Sequence, residues 1–141
     1  MDIGLKRMQL RTPTLRVELE VLHRADDEDW ARVRVEVHAG GFTGNFEAWL
    51  HAGDLDNFSK QLGALFENVG QAGTARLACA ERGVDLSLSM ETMGGIGGQY
   101  EFFDERTSAT LSGSFNIDQS YIPEWRNCVD SFADELRQHV L

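Results

Sequence analysis

The stretch GGFTGNFEAWLHAGDLDNFSKQL, Gly40–Leu62, changes its period half-way along. Up to Leu50 the side chains alternate. Phe42, Phe46, Ala48 and Leu50 fall on one side, Glu47 and Trp49 on the other, which is the two-residue period of a strand with one buried face. From Leu55 the apolar residues are spaced three and four apart, through Phe58, Leu62, Leu65, Phe66 and Val69, the stripe of an amphipathic helix over 53–70. Asp54 stands where an N-cap belongs, Asp56 follows in the first turn, and Gly70 suits a left-handed stop. A strand and a helix joined by so short a turn fold back on each other, so their apolar sides share one core.

Outward toward the N-terminus, WARVRVEVHA (30–39) alternates Ala31, Val33, Val35 and Val37 against Arg32, Arg34, Glu36 and His38. Before it, TLRVELEVL (14–22) alternates Leu15, Val17, Leu19 and Val21 against Arg16, Glu18 and Glu20. The charged RADDED (24–29) and the Gly40-Gly41 pair supply the turns. Residues 1–13 show no such pattern and read as an irregular N-terminal arm ending at Pro13. Toward the C-terminus four more strand candidates follow: TARLACA, VDLSLSM, GGQYEFFDE and SATLSGSFNI. In the last, Ala109, Leu111, Gly113, Phe115 and Ile117 point inward. The chain closes on a second amphipathic helix, SYIPEWRNCVDSFADELRQHVL, with Ser120 as cap and Pro123 in the first turn. Its stripe is Ile122, Trp125, Val129, Phe132, Leu136 and Val140. The order is βββαββββα. Alternation in nearly every strand leaves one sheet face wet, and hairpin-length turns make the pairing antiparallel. The expectation is a single α+β domain over 1–141: two layers, with about seven strands in a mainly antiparallel sheet packed on one face by the two helices.

A content of 42% hydrophobic and 26% charged residues belongs to a globular protein. No apolar run approaches the ~20 residues of a membrane helix, and the N-terminus lacks the apolar core of a signal peptide. Cys79 and Cys128 sit in apolar patterns and read as buried thiols in a reducing cytoplasm, with a disulfide between them as the alternative. Net charge is −10 and uneven: residues 1–40 carry 7 basic and 8 acidic side chains, residues 41–141 carry 6 and 15. Such a surface repels phosphate backbones, which disfavours direct nucleic-acid binding, and attracts a basic partner.

The polar residues form no reactive grouping in sequence. His23, His38, His51 and His139 stand at no metal-ligand spacing with one another, with cysteine or with carboxylates. GGIGGQ (94–99) lies between strands, without the helix that a phosphate loop opens. The acidic run Asp26–Asp29 lacks the turn glycine and terminal glutamate of a calcium loop. Asp104 and Glu105 point to opposite faces of a strand and do not converge. Cys128 shares its helical turns with Trp125 and Val129 and reads as packing. No catalytic, cofactor or metal residue is assigned, and a protein without enzymatic activity is expected. The wet sheet face has more character. It presents Glu18, Glu20, Arg32, Arg34, Glu36, Glu47 and Trp49, then Arg76, Ser87 and Ser89; an aromatic ring among carboxylates is the kind of anchor interfaces use, the alternative being a Trp49 tucked under a loop or the N-terminal arm.

Three segments, VEVHAGGFTG (35–44), WL (49–50) ahead of DLDNFSKQL (54–62), and GSFNIDQSYIPEW (113–125), together resemble the WapI family of bacterial immunity proteins. That family's pattern runs strand, Gly-Phe-x-Gly, strand, a helix opening on Asp-Leu-x-x-Phe, several strands, then Gln-Ser-Tyr-Leu opening a terminal helix. The matching positions are Gly41, Phe42 and Gly44; Trp49, Leu50, Asp54, Leu55 and Phe58; and Asp118, Gln119, Ser120 and Tyr121, while Ile122 and Pro123 depart from it. The motifs are turn glycines, helix starts and core aromatics, so they speak to fold. The resemblance implies neutralisation of a secreted toxin's C-terminal domain, often a nuclease acting on RNA, by steric and electrostatic occlusion. A basic toxin domain is then the expected partner, with Glu18, Glu20, Glu36, Glu47 and Trp49 as its contacts. The alternative is a small-molecule or peptide-binding module using the same face.

Overall fold

Alternation and hairpin turns make two sheets. The computed structural model describes residues 7–79, 81–91 and 95–138; Gly94, His139 and Val140 lie outside them. Strands β1 (Arg7–Arg11), β2 (Leu15–His23), β3 (Trp30–Ala39) and β4 (Phe42–His51) form an antiparallel sheet in that order, and α1 (Ala52–Glu67) follows without a break. Strands β5 (Gly73–Ala78), β6 (Val84–Met90), β7 (Gly95–Asp104) and β8 (Ala109–Asp118) repeat the meander in a second sheet. A 3-10 turn, Gln119–Tyr121, then leads into α2 (Ile122–Arg137). The fold is α+β and antiparallel, with two helices covering apolar strand faces, as the periodicities require.

Two features go beyond them. The strands number eight, because part of the arm read as irregular is β1: Met8 and Leu10 are buried opposite Leu19 and Val17, while Arg7, Gln9 and Arg11 face outward. Five residues offer only two inward positions, and Met and Gln are not strand formers, so pairing with β2 decides what local propensity leaves open. The strands also divide between two sheets, so the chain is a ββββα unit repeated. Helix α1 packs against α2 and β5, and α2 packs against β1.

The inner faces join in one core, whose largest members are Trp125, Phe58 and Phe132. In the second sheet the Phe115 ring lies across Gly98, where an added Cβ would come within 2.2 Å of it. Gly40 turns the β3–β4 hairpin at φ 59°, a left-handed conformation that favours glycine.

The helices do not reach the far ends of the sheets. Phe42, expected inside, is 69% exposed, and Ala109 and Gly113 are exposed as well. Phe66, also expected inside, is 45% exposed because it lies in the last turn of α1, and Val69 lies past the helix end. The caps are not those expected either. Because β4 runs directly into α1, the N-cap is the last strand residue, His51, whose Nδ1 accepts the Gly53 N–H at 3.0 Å, and Asp54 falls in the first turn. Ser120 does not cap α2 either: Tyr121 precedes that helix without a side-chain cap bond, and Asp118 caps the 3-10 turn ahead of it. Its carboxylate accepts the Ser120 hydroxyl and, at 2.8 Å, the Ser120 N–H, bonds that hold it below the usual carboxylate range. Among the described residues no helix is long and apolar enough to cross a membrane.

Candidate functional site

Strand parity puts Glu18, Glu20, Glu36, Glu47 and Trp49 together on the outer face of the first sheet. The register runs across it in rows. Arg7, Glu20, Arg34 and Glu47 make one row, Gln9, Glu18, Glu36 and Asn45 the next, Arg11, Arg16, His38 and Thr43 the third. Charge alternates along the first row, and the ions are paired. Arg7 lies 2.8 Å from Glu20 and 3.7 Å from Glu18, Arg34 lies 3.1 Å from Glu20, and Arg32 lies 3.4 Å from Glu47. The Arg32 guanidinium also sits over the Trp49 ring, 5.1 Å from its centre, and Trp49 is 42% exposed. Opposite charges facing across strands support the sheet. With Arg7, Arg11, Arg16, Arg32 and Arg34 beside four glutamates, this face carries no acidic excess. Arg76, Ser87 and Ser89, expected on the same face, belong to the outer face of the second sheet, where Arg76 is held at 2.6 Å by Asp85.

The acidic surplus lies elsewhere. The turn after β2 docks against the start of α1 and the end of α2: the Ala25 N–H donates to the Leu136 carbonyl at 2.7 Å and the Ala52 N–H to the Asp29 carbonyl at 2.9 Å. Asp26 shapes the turn by accepting the N–H groups of Glu28 and Trp30. Arg137 bridges Asp56 at 2.8 Å and Asp29 at 3.1 Å, and bonding first to Asp56 and then to Asp29 raises its pKa further. The same turn carries Asp26, Asp27 and Glu28, and also Arg24, which pairs with Glu135 of α2; Asp56 lies near the start of α1, and Asp130 and Asp134 are exposed along α2. Among the described residues Asp27 and Glu28 are exposed and enter no ion pair. Both thiols are held toward the protonated form. Burial, with Asp54 adding to it, pushes Cys79 up to about 12, and burial raises Cys128 as well.

The model of the immunity protein WapI-like family matches residues 9–138, nearly the whole chain. The chain belongs to the immunity protein WapI-like family. Membership supports an immunity role and implies a toxin as binding partner. No curated protein matches the sequence. Among solved structures, WHY1 from Arabidopsis thaliana is 8% identical with a TM-score of 0.47, over 96% of this chain and 93% of that one. The plant transcriptional regulator PBF-2 is 7% identical with a TM-score of 0.46, over 96% and 84%.

For a WapI-like protein, the two candidate surfaces were unequally visible in sequence. The five residues of the sheet face follow from parity alone. Their neutralisation follows only in part: Arg32 and Arg34 share the face by parity, but Arg7 and Arg11 lie in the segment read as irregular. The acidic end was missed because Asp26–Asp29 reads locally as a solvated turn. Only the backbone bonds of Ala25 and Ala52 bring it beside the acidic residues of both helices.

Proposed function

We propose that this WapI-like protein neutralises its toxin by covering a basic surface of the toxin domain with the acidic end formed by the 24–29 turn, the first turn of α1 and the outer side of α2. The observation that carries this reading is the placement of charge. With the first-sheet face charge-balanced, the net −10 falls on the rest of the surface, and the helical end carries a large part of it through Asp26, Asp27, Glu28, Asp29, Asp56, Asp130 and Asp134. A nuclease toxin must keep a basic groove for its substrate, and an acidic inhibitor is steered to such a groove, raising association by about 10- to 1000-fold at low salt. Inhibition is then occlusion, without chemistry on either partner.

A second reading rests on Trp49, exposed on the first-sheet face with Arg32 over its ring. There the toxin would bury the ring as an anchor, with Glu18, Glu20, Glu36 and Glu47 around it. Binding kinetics against the cognate toxin domain separate the two. On the first reading the double variant Asp27→Lys/Glu28→Lys slows association about tenfold at low salt, a difference that fades once the Debye length shrinks below about 10 Å, while Glu36→Lys/Glu47→Lys changes little. On the second, Trp49→Ala speeds dissociation and costs about 2 kcal/mol or more in affinity. Association indifferent to salt and to the Asp27/Glu28 reversals would overturn the acidic-end reading.

A further inference from the structure

Each four-stranded sheet has two edges, and three of the four are managed. β1 is flanked by α2 and β5 by α1. β4 carries the charge of Glu47 at mid-strand, and on its inner face the turn at Gly83 lies against the Ala48 side chain, where an added Cβ would stand 3.0 Å away. β8 is the exception. From Ala109 to Ile117 it reads ATLSGSFNI, without a charge or a proline, and it pairs with β7 over ten residues without a register shift. Among the described residues its hydrogen bonds other than those to β7 are local ones at its two ends, from the Ala109 N–H to Thr107 and from Ser120 to Asp118. Long, flat, uncharged edges are templates for strand addition, and folded proteins ordinarily blunt them with charge, proline or a bulge. None of these devices is present.

We infer that β8 is the pairing edge for a second copy of this chain, the two β8 strands running antiparallel about Gly113 to join two four-stranded sheets into one of eight. The strand's own pattern selects this occupant. Pairing about Gly113 sets Ser112 opposite Ser114, Leu111 opposite Phe115, Thr110 opposite Asn116 and Ala109 opposite Ile117, each residue facing one of its own kind in size or polarity. No like charges meet, which is the usual obstacle to self-pairing. The exposed Ala109 and half-buried Leu111, left uncovered by the helices, gain neighbours on the inner face. The Tyr100 ring already lies across Gly113, where an added Cβ would come within 2.3 Å of its hydroxyl, so the axis is lined rather than hollow. Because both copies carry −10, added salt strengthens this association, the opposite of its effect on a basic partner.

Sedimentation velocity over a range of concentrations tests the inference, with circular dichroism to confirm folding. Thr110 and Asn116 are both exposed, so lysines there leave the protomer intact. Thr110→Lys/Asn116→Lys sets lysine against lysine twice across the axis, and the dimer is expected to dissociate although each copy's net charge has fallen. Thr110→Lys/Asn116→Glu sets lysine against glutamate, and the dimer is expected to persist. A wild-type chain that stays monomeric at its highest soluble concentration overturns the inference. So does a dimer untouched by the double lysine variant, or one lost equally in the lysine–glutamate variant. A monomeric chain whose toxin binding is weakened by Thr110→Lys/Asn116→Lys would assign the edge to the toxin instead, and would also overturn it.

Discussion

Trp125 is the largest fully buried side chain, and it ties α2 to both sheets. From α2 its Nε1–H donates to the Arg11 carbonyl of β1 at 3.2 Å, and its ring centre lies 6.0 Å from that of Phe115 on β8. Trp125→Phe keeps an aromatic ring but leaves that carbonyl without its donor and the site underfilled, and is expected to cost about 1–3 kcal/mol. Trp125→Ala should cost about 3–5 kcal/mol; shifts in the urea midpoint read both. Cys79 supplies a second expectation at this scale. Its thiol is pushed up to about 12 by burial, whereas an unfolded chain ionises it near its ordinary value of about 8.5. Above that value the unfolded state holds fewer protons than the folded one. The contribution is therefore whole at lower pH and is lost as pH rises from about 8.5 toward 12. Urea midpoints measured from pH 7 to 11 should fall less steeply for Cys79→Ala than for wild type. At pH 8 an aromatic disulfide reagent should modify Cys128 first and reach Cys79 only as the chain unfolds.

At the scale of elements, the 24–29 turn is held to α2 by an ion pair as well as by backbone. Glu135, whose side chain is 7% exposed, accepts Arg24 Nη2 at 2.5 Å, while Arg24 Nε is buried without a partner. Removing the carboxylate leaves a guanidinium with its nearest counter-charge gone. Arg24 is 31% exposed, so water recovers part of the loss, and Glu135→Ala is expected to cost about 1–3 kcal/mol rather than the ~3–5 of a fully buried pair. Glu135→Gln keeps the acceptor and should cost less, again by urea midpoint. Residues 24 and 135 are 111 apart, and nothing local announces their meeting. The strands were legible where alternation is strict: β3 is WARVRVEVHA and β6 is VDLSLSM to the residue, because each inward apolar side chain has a polar neighbour to contrast with. β1 was not, having two inward positions in five. Phe42 and Phe66 have the right parity or phase but stand where the opposing layer has run out, and extent of cover is a tertiary property. The face holding Glu18, Glu20, Glu36, Glu47 and Trp49 was legible by the same parity. The pairing of Glu18 and Glu20 with Arg7 depended on the register of β1.

At the scale of the whole molecule, the two ββββα units are interlocked. α1 ends the first unit but lies against β5, the first strand of the second, and α2 ends the second unit but lies against β1, the first strand of the first. The chain thus closes on itself: each unit's helix covers the next unit's opening strand, and the connection from α1 to β5 has its counterpart in the approach of α2 to β1. Neither unit alone retains the helix that flanks its own first strand, so residues 1–71 and residues 72–141 made separately should show no cooperative transition in urea. Opening the chain between Gln71 and Ala72, both exposed, cuts a surface connection of the kind that tolerates new termini. Joining residue 141 to residue 1 through a short glycine–serine linker supplies the other connection. That circular permutant keeps every helix–strand contact and exchanges one loop closure for another, a change on the order of 1 kcal/mol. It should therefore unfold cooperatively with nearly the wild-type denaturant slope, since the slope follows the surface buried. Near-ultraviolet circular dichroism, to which the buried Trp125 contributes, should match as well. A permutant without a cooperative transition, or halves that each fold alone, would show that the covering helices serve their own units and that the interlock is not what holds the molecule together.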